Sequence, residues 1–172
     1  MNQQDKRKMQ LSESLMELLK HHAIEKVTVD QICKEAQVHR STFYRYFQDK
    51  YDLLHHALDC FWFKRIDPKD VLGSTVRLIA QNKEVFRNIS INNENNSFYW
   101  LLLKMWSEQL MECEKKGMLK DARWIDQTIR KSKYPELSIH MTAGALLTLF
   151  FEWVGSNYQM EVEELIDFIH NI

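Results

Sequence analysis

The chain is poor in the residues that end and reverse secondary structure, since its 172 residues include only four glycines and two prolines. Sheet proteins need many tight turns, and glycine and proline supply the backbone conformations of most of them. Apolar residues instead recur with helical spacing, as Leu11, Leu15, Leu18 and Leu19 do at i, i+4, i+7 and i+8. We therefore predict an all-α fold.

Capping residues and apolar periodicity predict where the helices lie. Thr28 stands three residues before Gln31, the spacing of a capping box that begins a short helix. Asp49 is typical of an N-cap, and Asp67 followed by Pro68 predicts another helix start. The remaining helices are predicted at about 5–22, 68–80, 82–91, 97–116, 119–132, 135–158 and 162–170, with a polar loop at 91–97.

Length and composition bound the domain organisation and the class of protein. We predict two domains, at 1–66 and 67–172. The three cysteines are far apart and form no CxxC pair, which favours reduced thiols over a disulfide or zinc framework. Neither a signal peptide nor a run of roughly 20 apolar residues is evident, so we expect a soluble cytoplasmic protein without a membrane span.

Two histidine pairs raise the question of a metal site. The pairs are His21 with His22 and His55 with His56, and on predicted helices Glu17 lies four positions from His21, Asp52 from His56 and Asp59 from His55. Such two-ligand pairs are common by chance, and no HExxH or CxxC joins them, so a solvated helix face is favoured. The chain also lacks a GxSxG, a P-loop and the paired Glu-x-x-His of di-iron bundles. We predict no enzyme, no metal and no cofactor.

The segment HRSTFYRYFQDK, residues 39–50, combines four aromatic rings with two arginines. On a helical wheel Phe43 and Phe47 share a side that is expected to enter the core. A different arc carries Arg40, Tyr44 and Arg45 together with a serine, and burying it would be costly. An exposed arc of this kind supplies hydrogen-bond donors for phosphate oxygens and base edges.

The spacing around this segment predicts a helix-turn-helix. A short helix at 28–36, a turn of about three residues and a second helix at 40–47 match the motif whose second helix enters the major groove of DNA. Lys50 falls in the first turn of the following helix. Backbone N–H groups and the helix dipole favour an anion there, so Lys50 is expected to add a phosphate contact.

The run VTVDQICKEAQVHRSTFYRYFQDKYDLL resembles the signature of the TetR family of bacterial transcriptional regulators. The resemblance covers about residues 8–58, and the matching positions are Ile32, Ala36, Val38, Thr42, Phe43, Tyr44, Phe47, Lys50 and Leu53. It implies phosphate contacts from Thr28, Tyr44, Tyr46 and Lys50, and base or mixed contacts from His39, Arg40, Ser41, Thr42 and Arg45.

Two positions depart from the family pattern. The family often has glycine where this chain has Gln37, and a small N-cap such as serine where it has His39. We therefore expect the tight turn to differ and His39 to read DNA rather than cap the helix.

The predicted helix at 135–158 is apolar on two sides, so it must be buried on both. One side can pack within its own domain and the other on a second copy of the chain, with the last helix completing the interface. TetR-like regulators pair through their last two long helices, so the resemblance favours the dimer over a central helix buried in the monomer. We assign to the interface Leu147, Phe151, Val154 and Phe168.

Aromatic residues concentrate before this helix, and most of them are expected to be core. Apolar pockets are nonetheless how helical bundles hold small ligands, and TetR-like proteins typically bind an effector here. We hypothesise an apolar or aromatic effector near Trp100, Met105 and Trp106.

The chain is thus predicted to be a sequence-specific, homodimeric DNA-binding repressor whose DNA affinity is changed by a small effector. An activator is one alternative, because the C-terminal part loosely resembles branches of the family that include activators as well as repressors. A helical adaptor that binds a protein partner is another, because residues 1–66 carry 11 basic against 9 acidic side chains and are only weakly basic.

Overall fold

A computed structural model of the chain describes residues 2–90, 97–119 and 122–172. Within these ranges the protein is all-α, as predicted. The helices are α1 (Gln3–Leu19), α2 (Val29–Glu35), α3 (Arg40–Tyr46), α4 (Lys50–Phe61), α5 (Val71–Gln81), α6 (Lys83–Ser90), α7 (Ser97–Lys115), α8 (Arg123–Arg130), α9 (Pro135–Gly155) and α10 (Val162–His170), with 3-10 turns at Ile24–Lys26 and Phe63–Arg65. Apart from Ser97, the loop predicted at 91–97 lies outside the described residues.

The capping residues of α2 and α4 are those that the sequence predicts. Thr28 accepts a hydrogen bond from the backbone N–H of Gln31 at 3.2 Å, and the Gln31 side chain accepts one from the Thr28 N–H at 2.8 Å. The carboxylate of Asp49 accepts from the N–H groups of Tyr51 and Asp52, both at 2.8 Å. Both helix starts therefore follow from local hydrogen bonding alone.

The helix start predicted at Asp67 and Pro68 is wrong, because α5 begins at Val71. The Asp67 side chain instead accepts from the N–H of Lys69 at 2.8 Å, which closes a turn of its own. Asp70 is the N-cap, and its carboxylate accepts from the N–H of Gly73 at 3.0 Å. Asp67 and Asp70 can each accept hydrogen bonds from backbone N–H groups. Asp67 accepts within the turn before α5, and Asp70 caps the helix.

The N-terminal unit consists of residues 2–65 and 84–90, so α6 contributes to it from beyond the predicted boundary at residue 66. In this unit α1 packs on α2 and α4, and α2 packs on α3. Trp62 stacks on Phe86 with ring centroids 5.1 Å apart. Asn88 donates to the carbonyl of Leu19 at 2.9 Å. The division of the chain at 66 into a DNA-binding and an effector-binding domain stays a prediction.

The C-terminal unit consists of the described residues from 66 to 83 and from 97 onwards, and α9 is its central helix. Helices α7 and α8 pack on α9, and α10 packs on α5. Trp106 of α7 lies against Phe150 of α9 with ring centroids 5.5 Å apart. By length and composition α9 could cross a membrane, but core helices of soluble proteins meet the same test, and eight of its residues are buried in this unit.

Candidate nucleic-acid interface

The turn between α2 and α3 has a backbone conformation that favours glycine. Gln37 has a φ of 51°, in the left-handed region, which a residue with a Cβ enters at a cost of roughly 1–2 kcal/mol. The turn is closed by hydrogen bonds from the N–H of Val38 to the carbonyl of Cys33 at 3.0 Å and from Gln37 to Lys34 at 3.2 Å. Gln37 therefore occupies a glycine-type position and adds an exposed amide beside the next helix.

His39 is the N-cap residue of α3, and its side chain makes no capping hydrogen bond. The ring is exposed at the end of the helix that the motif places in the major groove. This agrees with the expectation that His39 does not cap; its proposed contact with DNA stays a prediction.

Helix α3 has one buried and one exposed side. Phe43 is completely buried and Phe47 is nearly so, whereas Tyr44 is 47 % exposed. The ring of Tyr44 meets that of Phe43 edge-on, with centroids 5.3 Å apart. Arg40, Ser41 and Arg45 are also exposed, and Thr42 and Tyr46 are half-buried. The two phenylalanines therefore fasten the helix to its unit and leave polar side chains at the surface.

A polar cleft of about 550 Å³ lies between the start of α1 and the helix-turn-helix. Four predicted DNA-binding residues line it: His39, Thr42, Arg45 and Tyr46. Gln37, Val38 and four residues from the chain start complete the lining: Asn2, Gln3, Gln4 and Arg7. Those four were missed from the sequence; the amide-rich and basic run NQQDKR was the available indication.

Arg40 is held by a carboxylate that the sequence did not single out. Its Nη1 atom donates to Asp30 Oδ1 at 2.8 Å and to Oδ2 at 3.1 Å, and its Nη2 atom donates to the Tyr44 hydroxyl at 3.2 Å. The guanidinium carbon lies 5.5 Å from the centre of the Tyr44 ring. The hydrogen bond to Tyr44 and the charge of Asp30 raise the pKa of Arg40.

Thr28 and Lys50, two of the four residues expected to hold phosphates, make hydrogen bonds inside the unit. Thr28 is exposed, and its hydroxyl also donates to the Gln31 side chain at 3.0 Å. The ammonium of Lys50 donates to the carbonyls of Ile24 at 2.8 Å, Glu25 at 3.1 Å and Val27 at 2.9 Å. Burial lowers the pKa of Lys50. Its three N–H donors are thus engaged in the absence of DNA, and its phosphate contact stays a prediction.

The three residues of the hypothesised effector site differ in burial. Trp100 is 64 % exposed, whereas Met105 and Trp106 are buried in the core of the C-terminal unit. A cavity of about 450 Å³ with mixed polar and apolar lining lies between α9 and α10. Its lining consists of Leu149, Glu152, Trp153, Ser156, Gln159, Met160, Glu164 and Leu165. The effector site stays a prediction.

The four residues assigned to a dimer interface differ in accessibility. Leu147 and Val154 are completely buried within their own unit, so a second chain cannot reach them. Phe151 is half-buried against Tyr99, with ring centroids 6.1 Å apart. Phe168 is 50 % exposed, and Met141 of α9 is 67 % exposed. Of the four, Phe168 therefore stays accessible to a second chain, whereas Leu147 and Val154 do not, and Met141 is a further accessible apolar residue of α9.

The helix-turn-helix region matches a known family model. Residues 13–57 match the family model described as bacterial regulatory proteins, tetR family. A protein of Bacillus subtilis (strain 168), described as an uncharacterized HTH-type transcriptional regulator YxbF, is 26 % identical over 104 residues. The match covers 55 % of this chain and 26 % of that protein, so this chain spans about a quarter of the length of that relative.

Two solved structures share the fold over nearly the whole chain. The dihydroxyacetone kinase operon activator DhaS has a TM-score of 0.63 at 20 % identity, covering 96 % of this chain and 92 % of that one. The fatty acid degradation regulator FadR from Bacillus halodurans has a TM-score of 0.53 at 19 % identity, covering 95 % and 92 %. At these identities the likeness concerns the fold alone.

Proposed function

Since the chain carries the helix-turn-helix of the tetR family of bacterial regulatory proteins, we propose that it is a homodimeric transcriptional repressor that binds an operator sequence in double-stranded DNA. The observation that carries this proposal is the two-sided α3, anchored by buried Phe43 and exposing Arg40, Tyr44 and Arg45. Such a regulator acts in the cytoplasm and binds DNA without catalysing a reaction.

The recognition helix would meet DNA through its exposed side. Arginine is the side chain best suited to the O6 and N7 atoms of guanine in the major groove. Arg40 and Arg45 are exposed, and the half-buried Tyr46 is proposed to hold a phosphate. Phosphate contacts, including one from Arg45, would set the position of the helix, while Arg40 and His39 would read bases.

Dimerisation would supply the second half-site. A seven-residue recognition helix reads only a few base pairs, and two-fold pairing lets two such helices meet half-sites one or more turns of DNA apart. We propose that α9 and α10 form the interface, because they expose the large apolar side chains Leu137, Met141 and Phe168. Large apolar side chains that would otherwise face water are what an interface buries.

An effector would act by shifting the population of the DNA-competent form. A ligand changes DNA affinity only to the extent that it binds the two forms differently. We propose that an apolar or aromatic molecule enters the core beside Met105 and Trp106, where Trp106 now lies against Phe150. A screen for small molecules that release the bound DNA would test this, and a hit that acts equally on Trp106→Ala would contradict it.

Repression and activation can be distinguished with a reporter gene. DhaS, which shares the fold, is described as an operon activator, so activation is the alternative to repression. Expression of a reporter gene placed behind the operator would fall if the protein is a repressor and rise if it is an activator.

DNA binding itself is tested by selecting sequences from a pool of random duplexes with the full chain. We expect an enriched, two-fold symmetric sequence, and weaker binding to it by Tyr44→Ala and Arg45→Ala. The logarithm of the binding constant should fall less steeply with salt for Arg45→Ala, by about one unit of slope if one phosphate contact is lost. Tyr134→Ala is the control, because Tyr134 is an exposed tyrosine of the C-terminal unit. Wild-type affinity in both α3 variants would overturn the assigned roles.

A helical adaptor is the second candidate. Asp30 partly neutralises Arg40, and the ammonium of Lys50 binds carbonyls of its own unit, so fewer cations are available to DNA than the sequence suggests. An adaptor would enrich no DNA sequence and would pass through a DNA column at low salt. Retention on that column with release by salt would exclude this reading.

A further inference from the structure

We propose that Asp30 is a positioning residue for base recognition: it holds the guanidinium of Arg40 in the plane needed to contact a base edge, and so raises the sequence specificity of the recognition helix. This inference rests on the proposed DNA-binding function and adds a residue of α2 to the determinants of specificity.

The position of Asp30 is itself well defined. It lies in the first turn of α2, within the capping box formed by Thr28 and Gln31. From there its carboxylate reaches ten residues ahead to Arg40, the first residue of α3. Asp30 therefore links α2 to the N-terminal end of α3.

The guanidinium of Arg40 is held from two sides. Nη1 contacts both oxygens of Asp30, and Nη2 donates to the hydroxyl of Tyr44 at 3.2 Å. The Tyr44 ring is oriented in turn by its edge-on contact with buried Phe43. Two anchors on different helices fix both the position and the plane of the group, while Nε has no partner among the described residues.

A fixed plane matters because arginine reads guanine with two parallel hydrogen bonds. A free arginine must lose its rotamer freedom on binding, whereas an oriented one has already lost most of it. Arg45 provides the contrast on the same helix, since its side chain makes no hydrogen bond or ion pair with any described residue. Arg45 suits a phosphate, which accepts from many directions, and Arg40 suits a base.

The charge of Asp30 adds discrimination of a second kind. Both partners are largely exposed, with 59 % of the Arg40 side chain and 69 % of the Asp30 side chain accessible, so the pair adds little to stability. A carboxylate at a DNA-facing surface repels phosphates at every sequence. A base contact by the oriented Arg40 compensates for that repulsion only at the correct site. Removing Asp30 should therefore favour non-specific DNA more than the operator.

The test is selection from random duplexes with four full-length proteins: wild type, Arg40→Ala, Asp30→Ala and Glu35→Ala. Glu35 is the matched control, because it is an exposed carboxylate on the same helix without a contact to Arg40. Affinities are then measured for the sequence that the wild type selects and for a scrambled duplex of the same composition. Asp30→Asn, which keeps the shape and drops the charge, is a second variant in case Asp30→Ala lowers stability.

We expect Arg40→Ala to lose its preference at one base pair of each half-site and Asp30→Ala to weaken the preference at that same pair. The ratio of specific to scrambled affinity should fall by about tenfold in Asp30→Ala, within the range that one base contact provides. Asp30→Asn should lie between this variant and the wild type, and Glu35→Ala should keep the wild-type preference.

An unchanged preference in Asp30→Ala, or the same loss in Glu35→Ala, would overturn the proposal and leave the DNA-binding function standing. If Arg40→Ala kept every base preference of the wild type, the proposal would also be overturned, since Arg40 would then contact only phosphates. If the wild type enriches no sequence, the proposed function itself fails and the role of Asp30 falls with it.

Discussion

The ammonium nitrogen of Lys50 lies 2.8 Å from the carbonyl oxygen of Ile24 and joins the first turn of α4 to the 3-10 turn that follows α1. The carbonyls of Glu25 and Val27 accept from the same ammonium. Because α2 begins two residues after Val27, these hydrogen bonds help to fix the segment between α1 and the helix-turn-helix. Lys50 therefore has a structural role whether or not it also meets a phosphate.

Replacing Lys50 with methionine should lower the free energy of unfolding by about 1–3 kcal/mol, because three partly buried carbonyls lose a charged donor. Chemical denaturation of the full chain would measure this. Lys34→Met is the control, since Lys34 is an exposed lysine of α2. Equal stability of the two variants would show that Lys50 does not hold this turn. If Lys50→Met changed the salt dependence of DNA binding but not the stability, Lys50 would have the phosphate role only.

Gly73 and Gly144 should respond in opposite directions to alanine. A methyl group at Gly73 would overlap both carboxylate oxygens of Asp70, which caps α5 and also accepts from Arg77 at 2.6 Å. Gly73→Ala should therefore be less stable than the wild type by about 1–2 kcal/mol, although alanine usually favours a helix over glycine.

At Gly144 the same methyl group would make ordinary contacts, 3.6 Å from the Tyr99 hydroxyl and 3.8 Å from Leu103. Gly144→Ala should thus raise stability by up to about 1 kcal/mol through its helix propensity. Melting temperatures of the two variants measured side by side would decide, and a stabilised Gly73→Ala would contradict the capping role of Asp70.

The stability of the fold should fall as the pH drops below about 6.5, in part through His56. Ser12 Oγ lies 3.0 Å from His56 Nδ1, and burial, followed by the nearby Lys8 and Lys64, lowers the pKa of His56 in the folded state. Between the lowered pKa and the ordinary one, the unfolded chain binds more protons than the folded chain. The stability that the neutral ring contributes is therefore present above about pH 6.5 and lost as the pH falls.

Melting temperatures between pH 7.5 and about 5 would reveal this dependence, and His56→Gln should reduce the fall. His55→Gln changes the adjacent histidine and should behave as the wild type does. Parallel curves for the wild type and His56→Gln would rule out a contribution from His56.

Phe168 should contribute to dimerisation if α9 and α10 form the interface. Phe168→Asp places a charge on the 50 % exposed ring position and should raise the dimer dissociation constant at least about tenfold. Sedimentation at several concentrations would measure it. Trp100→Asp serves as control, because Trp100 is 64 % exposed on α7, outside the proposed surface. Dissociation by the Trp100 variant alone would place the interface elsewhere.

Local features of this protein were predictable from its sequence. The capping box at Thr28, the N-cap at Asp49 and the division of α3 between buried Phe43 and exposed Tyr44 depend on residues within four positions of each other. Helical geometry determines which of these residues share a face. The error at Asp67 arose because two aspartates could both cap, and local spacing does not choose between them.

Relationships between distant residues were not predictable in the same way. The contact of Asp30 with Arg40 spans ten residues and that of Lys50 with Ile24 spans 26. Each contact depends on how two elements pack. The sequence alone therefore does not show whether an aspartate at a helix start, or a lysine in a first turn, contacts another residue or solvent. The same holds for the cleft that brings Arg7 of α1 beside Arg45 of α3.

By itself the sequence determined the all-helical class, the helix-turn-helix and the exposed side of its second helix, because these follow from turn-residue content and from periodicities of a few residues. Only the tertiary structure decided which apolar residues of α9 are enclosed, burying Leu147 and Phe150 and leaving Met141 exposed. Apolar residues occur on both sides of α9, so periodicity does not distinguish those that neighbouring helices cover. The outcome depends on how α7 and α8 pack against α9.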